Sequence, residues 1–170
     1  MAGGDERVVV GIDPGSHKCG YAVMVNDALM GYGAVNTYSK DIVSRVQRIE
    51  IGLRTMFHEQ GVRPSVLAWE TPYSGTGAGA AGKSGLQQVW MVIGMLCTLP
   101  SEQFMPLHVA TVQATWGRKR GLDRKAGKEM SVRLANERFG IELEPSESDV
   151  SDAIWVAVTA MNKLREADKA

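Results

Sequence analysis

Arg7 to Asp13 reads RVVVGID, a short β-branched run that ends in a carboxylate, and it reads as a buried strand. The turn-forming PGSHKCG follows, and then YAVMVND and GYGAVNTY look like two further strands joined around Asn26 to Gly31. Three neighbouring strands with short links imply an antiparallel meander. A helical pattern comes next. Ile42, Val46, Ile49, Leu53 and Met56 or Phe57 recur at three- and four-residue steps, with Ser39 as N-cap and GVRP as the stop. SVLAWE, residues 65–70, is another buried strand, again closed by an acid. A glycine-rich loop leads to a helix from about Leu86 to Leu96 that is apolar nearly all round, the mark of burial on more than one side. PLHVATV reads as a fifth strand. A helix from about Lys125 to Phe139, a loop in EPSESD and a final helix in DVSDAIWVAVTAMNKLR complete the chain. The order β-β-β-α-β-α-β-α-α predicts an α/β fold, a mixed sheet with helices on both faces.

With 170 residues, 44% of them hydrophobic, the chain suits one domain, 1–170, with a real core and no repeats or linker. It contains no apolar run of about 18 residues, so no membrane span is expected. The polar start MAGGDERVVV is not a secretory signal, and Cys19 and Cys97 lack the spacing of a zinc site or disulfide scaffold. Both points indicate a cytoplasmic protein. The formal net charge of zero conceals two opposed blocks. Arg118 to Arg133 holds seven basic residues against two acids, whereas Glu137 to Asp152 holds six acids against one base. One reading is a pair of solvated faces. The other is a phosphate-binding surface beside a metal site.

The acids at element ends favour the second. Asp13 and Glu70 close strands, where open α/β sheets present ligands. Asp149 and Asp152 are three residues apart, on one face of the last helix and in its first turn, heading a stripe continued by Val156 and Ala160. Buried together, these four would repel one another unless cations lay between them. Hard oxygen donors suit Mg²⁺ or Mn²⁺, and two such ions about 3.5–4 Å apart can drive phosphodiester hydrolysis.

GIDPGSHKCGYAV resembles the first strand of RuvC-type Holliday junction resolvases, which carry G-I-D-P-G-S and then G-Y. LAWETPY is similar to their fourth strand, and ESDVSDAIWVAV to their final helix with its D-x-x-D-A. The resemblance runs along nearly the whole chain. It implies the RNase H-like fold, with an antiparallel meander of strands 1–3 and parallel strands 4 and 5. It also implies two divalent metals, a homodimer and four-way DNA junctions cut by paired symmetric nicks. Asp13, Glu70, Asp149 and Asp152 occupy the four catalytic and metal-binding positions. Tyr73 occupies the place of an aromatic that wedges into the junction centre, and Lys128 matches a phosphate-contacting lysine. A second such lysine is replaced, with Gln113 nearest to it and Arg118, Lys119 and Arg120 close enough to compensate. Lys125 belongs to the same basic, DNA-facing segment. The resemblance is compatible with a bacteriophage member of the family.

Gly77 to Ser84, GAGAAGKS, also fits the P-loop pattern and contains G-x-G-x-x-G. The context opposes a nucleotide site. Six residues separate Glu70 from Gly77, the strand that should end in a magnesium-binding acid lies upstream, and no acid follows about 20 residues on. No nucleotide cofactor is expected; the segment reads as a glycine-rich arm carrying Tyr73 and Lys83 to DNA. His58 and His108 read as structural, Cys97 as a core thiol, and His17 as a candidate phosphate contact. Other functions compatible with parts of the pattern are an actin- or sugar-kinase-like ATP user, which would need two domains, and a junction-binding module that does not cut. A third is another RNase H-like nuclease acting in debranching or RNA processing.

Overall fold

Val8–Asp13 (β1) is built from residues that favour extended backbone and is buried on both faces, as its unbroken apolar run requires. The computed structural model describes residues 6–72, 80–118 and 121–169, and only the backbone of 80–83. Lys18–Val25 (β2) pairs antiparallel with β1, and Ala28–Asn36 (β3) antiparallel with β2. The β2–β3 link is tighter than the sequence suggests. Asn26 takes a left-handed conformation (φ 54°), so the hairpin turns at Asn26 and Asp27, and β3 starts at Ala28 rather than Gly31.

Ile42–Glu59 (α1) leads to Val66–Thr71 (β4), which runs parallel to β1; Ala80–Leu96 (α2) leads to Gln103–His108 (β5), parallel to β4. The five-stranded sheet has the order β3-β2-β1-β4-β5. Val109–Thr115 (α3), Arg124–Phe139 (α4), a 3-10 turn at Pro145–Glu147 and Ser148–Ala167 (α5) complete the described chain. The mixed sheet, with an antiparallel meander and then parallel strands, is the arrangement expected of an RNase H-like fold. Among the described residues, no helix is long and apolar enough to cross a membrane.

Three local expectations are corrected. The N-cap of α1 is Asp41, whose carboxylate accepts from Ser44 N at 2.7 Å, while Ser39 Oγ only accepts from Asp41 N. The helix expected from Leu86 begins at Ala80, because Ala80, Ala81 and Lys83 outweigh isolated Gly82 and Gly85 as helix formers. The fifth strand stops at His108, and the VATV that follows is helical. There His108 acts as N-cap, with Nδ1 accepting from Ala110 N at 3.2 Å. A side-chain cap at the right place overrides a weak β preference.

Helices cover both faces. Val10, Ile12, Val23, Leu67 and Trp69 pack against Ile49, Leu53 and Phe57 of α1 and Val92, Ile93 and Leu96 of α2. On the opposite face, Val9, Ala22, Met24 and Ala68 meet Val112 of α3, Val132 of α4 and Ala153, Ile154, Val156 and Ala157 of α5. The last helix lies unusually close to the sheet. A Cβ added to Gly11 would stand 2.3 Å from Ala153 O, and one added to Gly20 would stand 2.1 Å from Asp149 O.

Gly11→Ala or Gly20→Ala should therefore lower the unfolding free energy by roughly 1–3 kcal/mol or more, read from urea denaturation. Gly94→Ala is the contrast. It sits on α2 with nothing within 4 Å of the new methyl, and it should be neutral or stabilising by up to about 1 kcal/mol. Wild-type stability in both sheet variants would contradict backbone contact between α5 and the sheet.

Candidate active site

The parallel pairing of β1 and β4 matches Val9 with Val66 and Ile12 with Trp69. Carried one step further along both strands, the same register brings Asp13 level with Glu70. They share the face of the sheet that carries Gly11, because side chains alternate along a strand. Asp149 and Asp152 descend onto this corner from the first turns of α5, whose backbone is seated on Gly20, the antiparallel partner of Asp13. All four carboxylates line one cavity of about 380 Å³, together with Gln113, Trp116, Arg118, Arg124, Lys128 and Ser131.

Basic and hydroxyl groups from α4 face the acids. Lys128 and Ser131 are three residues apart and share one helix face. Lys128 Nζ donates to Ser148 Oγ at 2.9 Å, and Ser131 Oγ lies 3.4 Å from Asp152 Oδ1. Ser131 is fixed in turn by Ser151 Oγ at 2.7 Å, while its carbonyl accepts from Trp155 Nε1 at 3.1 Å. The Arg118 guanidinium crosses α4 at Gly127, where a side chain would meet it at 3.4 Å. On the sheet side, Lys18 Nζ lies 3.2 Å from Asp149 Oδ2 and donates to Ser146 O at 3.0 Å.

The turn after Asp13 is pinned by a buried cation. Arg45 of α1 is 3% exposed, and no carboxylate bridges to it among the described residues. Its Nη1 donates to Ser16 Oγ at 3.4 Å and meets His17 Nε2, and its Nη2 donates to Gln88 Oε1 at 3.1 Å. His17 is exposed and turned onto this arginine. His58 lines a separate cavity with Arg54, Phe57 and Arg63. Cys97, expected in the core, is exposed just past the end of α2.

Burial and mutual repulsion raise the pKa values of Asp13, Glu70 and Asp152. Burial raises the Asp13 pKa well above the ordinary range, with further contributions from Asp152, Asp149 and Glu70 against the opposing charge of Lys128. Burial, then Asp152, lifts Glu70 to about 7. Burial lifts Asp152 to about 6, with Lys128 pulling the other way and Asp149 adding to the rise. Such a donor set fits a hard divalent cation, which would replace the missing countercharge. Among the described residues, no three Asp, Glu, His or Cys side chains are gathered closely enough to hold an ion as they stand.

The structure thus brings together Asp13, Glu70, Asp149, Asp152, Arg118 and Lys128 of the sequence-predicted residues, with Gln113. Lys125 is not among the lining residues; its side chain is 89% exposed, 3.9 Å from Glu129. Tyr73, Lys119 and Arg120, and the side chain of Lys83, lie outside the described residues. Sequence reasoning missed Lys18, Arg45, Arg124 and Ser131. Arg124 had a signal, one helical turn before Lys128 in the basic block.

The raised pKa values carry a stability cost with a defined sign. Between the ordinary carboxylate range near pH 4 and the folded values of about 6 and 7, the folded state holds more protons than the unfolded state. Stability of the metal-free protein should therefore fall as pH rises from 5 to 8. Glu70→Gln should flatten this slope, gaining on the order of 1–2 kcal/mol at pH 8 in EDTA, and saturating Mg²⁺ should flatten it in wild type. Melting curves that respond to pH identically in Glu70→Gln and wild type would contradict the repulsion.

The chain is similar to known proteins over most of its length. The family described as Crossover junction endodeoxyribonuclease RuvC matches residues 9–160. The crossover junction endodeoxyribonuclease RuvC of Moorella thermoacetica is 27% identical over 157 residues, covering 89% of each chain. That of Geobacter sulfurreducens is 28% identical over 160 residues, covering 91% of this chain and 92% of the relative. The solved structure of T. thermophilus RuvC in complex with Holliday junction substrate shares the fold. Its TM-score is 0.68 at 20% identity, covering 93% of this chain and 96% of that one. A match over most of the chain, with the four acids at one corner of an RNase H-like sheet, makes this chain a member of the RuvC family of crossover junction endodeoxyribonucleases.

Proposed function

We propose that this chain, acting as one domain over residues 1–170, is a Holliday junction resolvase that cuts four-way DNA by paired symmetric nicks. It works as a homodimer with two Mg²⁺ ions per active site, for which Mn²⁺ can substitute. The β1–β4 register supports this reading most directly, because it sets Asp13 beside Glu70 in a cavity shared with Asp149 and Asp152.

The bound ions would supply an activated water and charge for the departing 3′ oxygen, leaving 5′-phosphate and 3′-hydroxyl ends. The protein's own groups do the rest. Asp13, Glu70, Asp149 and Asp152 hold the ions. Arg118, Arg124 and Lys128 line the same cavity and hold the phosphates on either side of the cut, with Gln113 as a neutral donor among them. Lys83, Lys119, Arg120 and Lys125 extend the DNA surface, and Tyr73 stacks at the opened junction centre. No nucleotide takes part, and the reaction takes place in the cytoplasm of a bacterial or phage-infected cell.

Trp90 and Met91 on α2 support the dimer. They are 48% and 43% exposed on a helix that already buries Val92, Ile93 and Leu96, leaving an apolar face for the two-fold partner. Trp90→Glu should convert the dimer to a monomer in light scattering at micromolar concentration, with paired cutting lost. A dimer undisturbed by this change would place the contact elsewhere.

The deciding experiment is cleavage of a synthetic four-way junction with end-labelled arms, beside duplex DNA and RNA. Wild type should cut the junction symmetrically only with a divalent ion. Asp13→Asn and Asp152→Asn should still bind it while cutting about a thousandfold more slowly or worse. Wild-type rates in either variant, or preference for RNA or plain duplex, would overturn the proposal.

A further inference from the structure

Asp149 is paired with a cation of the protein's own. Lys18 opens β2, next to the turn that follows Asp13, and its Nζ lies 3.2 Å from Asp149 Oδ2. The same ammonium donates to Ser146 O at 3.0 Å, in the 3-10 turn that feeds α5. The Lys18 and Asp149 side chains are only 28% and 26% exposed, so the pair is poorly screened. The Asp149 carbonyl is seated closely on Gly20, which leaves the side chain as the freer part of this residue. Asp149 lines the cavity whereas Lys18 does not, so the ammonium meets this carboxylate from outside the lining residues.

We infer that Lys18 is a built-in counterion for Asp149, with which a divalent cation must compete to complete the site. The inference rests on the metal-site reading above. A carboxylate shared between an ammonium and a divalent ion is a weaker ligand to each, and the two cations repel at close range. Lys18 therefore steadies the entrance of α5 while the site is empty of metal and sets a threshold for metal binding. It is a positioning residue, acting through Asp149.

The test measures Mn²⁺ affinity by calorimetry or by Mn²⁺ resonance, without DNA. Lys18→Met and Lys18→Gln should each bind Mn²⁺ about threefold to tenfold more tightly than wild type, a range set by a partly screened ion pair. The glutamine can keep the bond to Ser146 O, so agreement between the two variants assigns the effect to charge rather than to the tether. In an Asp149→Asn background, Lys18→Met should change affinity by less than about twofold. In EDTA, Lys18→Met should melt below wild type, and saturating Mn²⁺ should close that gap. Mn²⁺ affinity that depends on Asp149 but not on Lys18, or one that Lys18→Met raises equally in the Asp149→Asn background, overturns the inference alone. Mn²⁺ affinity indifferent to Asp149 removes the metal-site reading and the inference with it.

Discussion

The seating of α5 on β1 and β2, backbone against backbone, is the contact on which the rest of the molecule depends. Gly11 and Gly20 leave no room for even a methyl group between the sheet and the carbonyls of Ala153 and Asp149. This closeness carries Asp149 and Asp152 down to the level of Asp13 and Glu70. An ordinary helix–sheet spacing of about 10 Å, filled by side chains, would leave the two pairs of acids apart. Downstream of that contact, α5 is nearly all core. Ala153, Ile154, Val156, Ala157 and Ala160 are 0% exposed, and α3 and α4 pack around it. The small residues let the helix approach; the larger ones anchor it.

A second constraint follows from what the contact assembles. The cavity concentrates like charge on half-buried side chains, and the fold tolerates it by surrounding the acids with positive groups. Lys128 and Arg118 oppose them from the helical side, and Lys18 from the sheet side. Each is held by a hydroxyl or carbonyl group: Ser148 Oγ for Lys128, Leu122 O for Arg118 and Ser146 O for Lys18. The positions of these cations are thus set by the fold even before any ligand arrives. Arg45 plays a comparable part for the turn after Asp13, holding Ser16 and His17 against α1 and α2.

Much of this was legible in the sequence, for identifiable reasons. Strands that end in an acid, and two acids three residues apart at a helix start, are local patterns, so Asp13, Glu70, Asp149 and Asp152 could be read directly. The meander, a mixed sheet and both helical layers followed from alternation of short β-branched runs with helical periods, and the parallel fourth and fifth strands from the resemblance to RuvC-type resolvases. What escaped was decided by competition or by distance. At VATV, the cap offered by His108 outweighed residues that suit a strand. At Ala80, helix formers outweighed neighbouring glycines. The approach of Asp13 to Glu70 depends on the β1–β4 register, which leaves no trace in local pattern. Lys18 and Ser131 touch their acids only through tertiary folding, and nothing near them in sequence announces it.

One buried sulfur gains a meaning from the acids beside it. Cys19 follows Lys18 on β2, fully buried, and burial together with the charges of Asp13 and Asp149 drives its thiol far above the usual range for ionisation. Soft ions such as zinc or cadmium bind thiolates, and oxidants attack them. Held as a buried thiol, Cys19 is a poor nucleophile beside the cavity. The chain's other cysteine, Cys97, is exposed beyond the end of α2, so oxidative chemistry on this protein is steered to a position outside the carboxylate site.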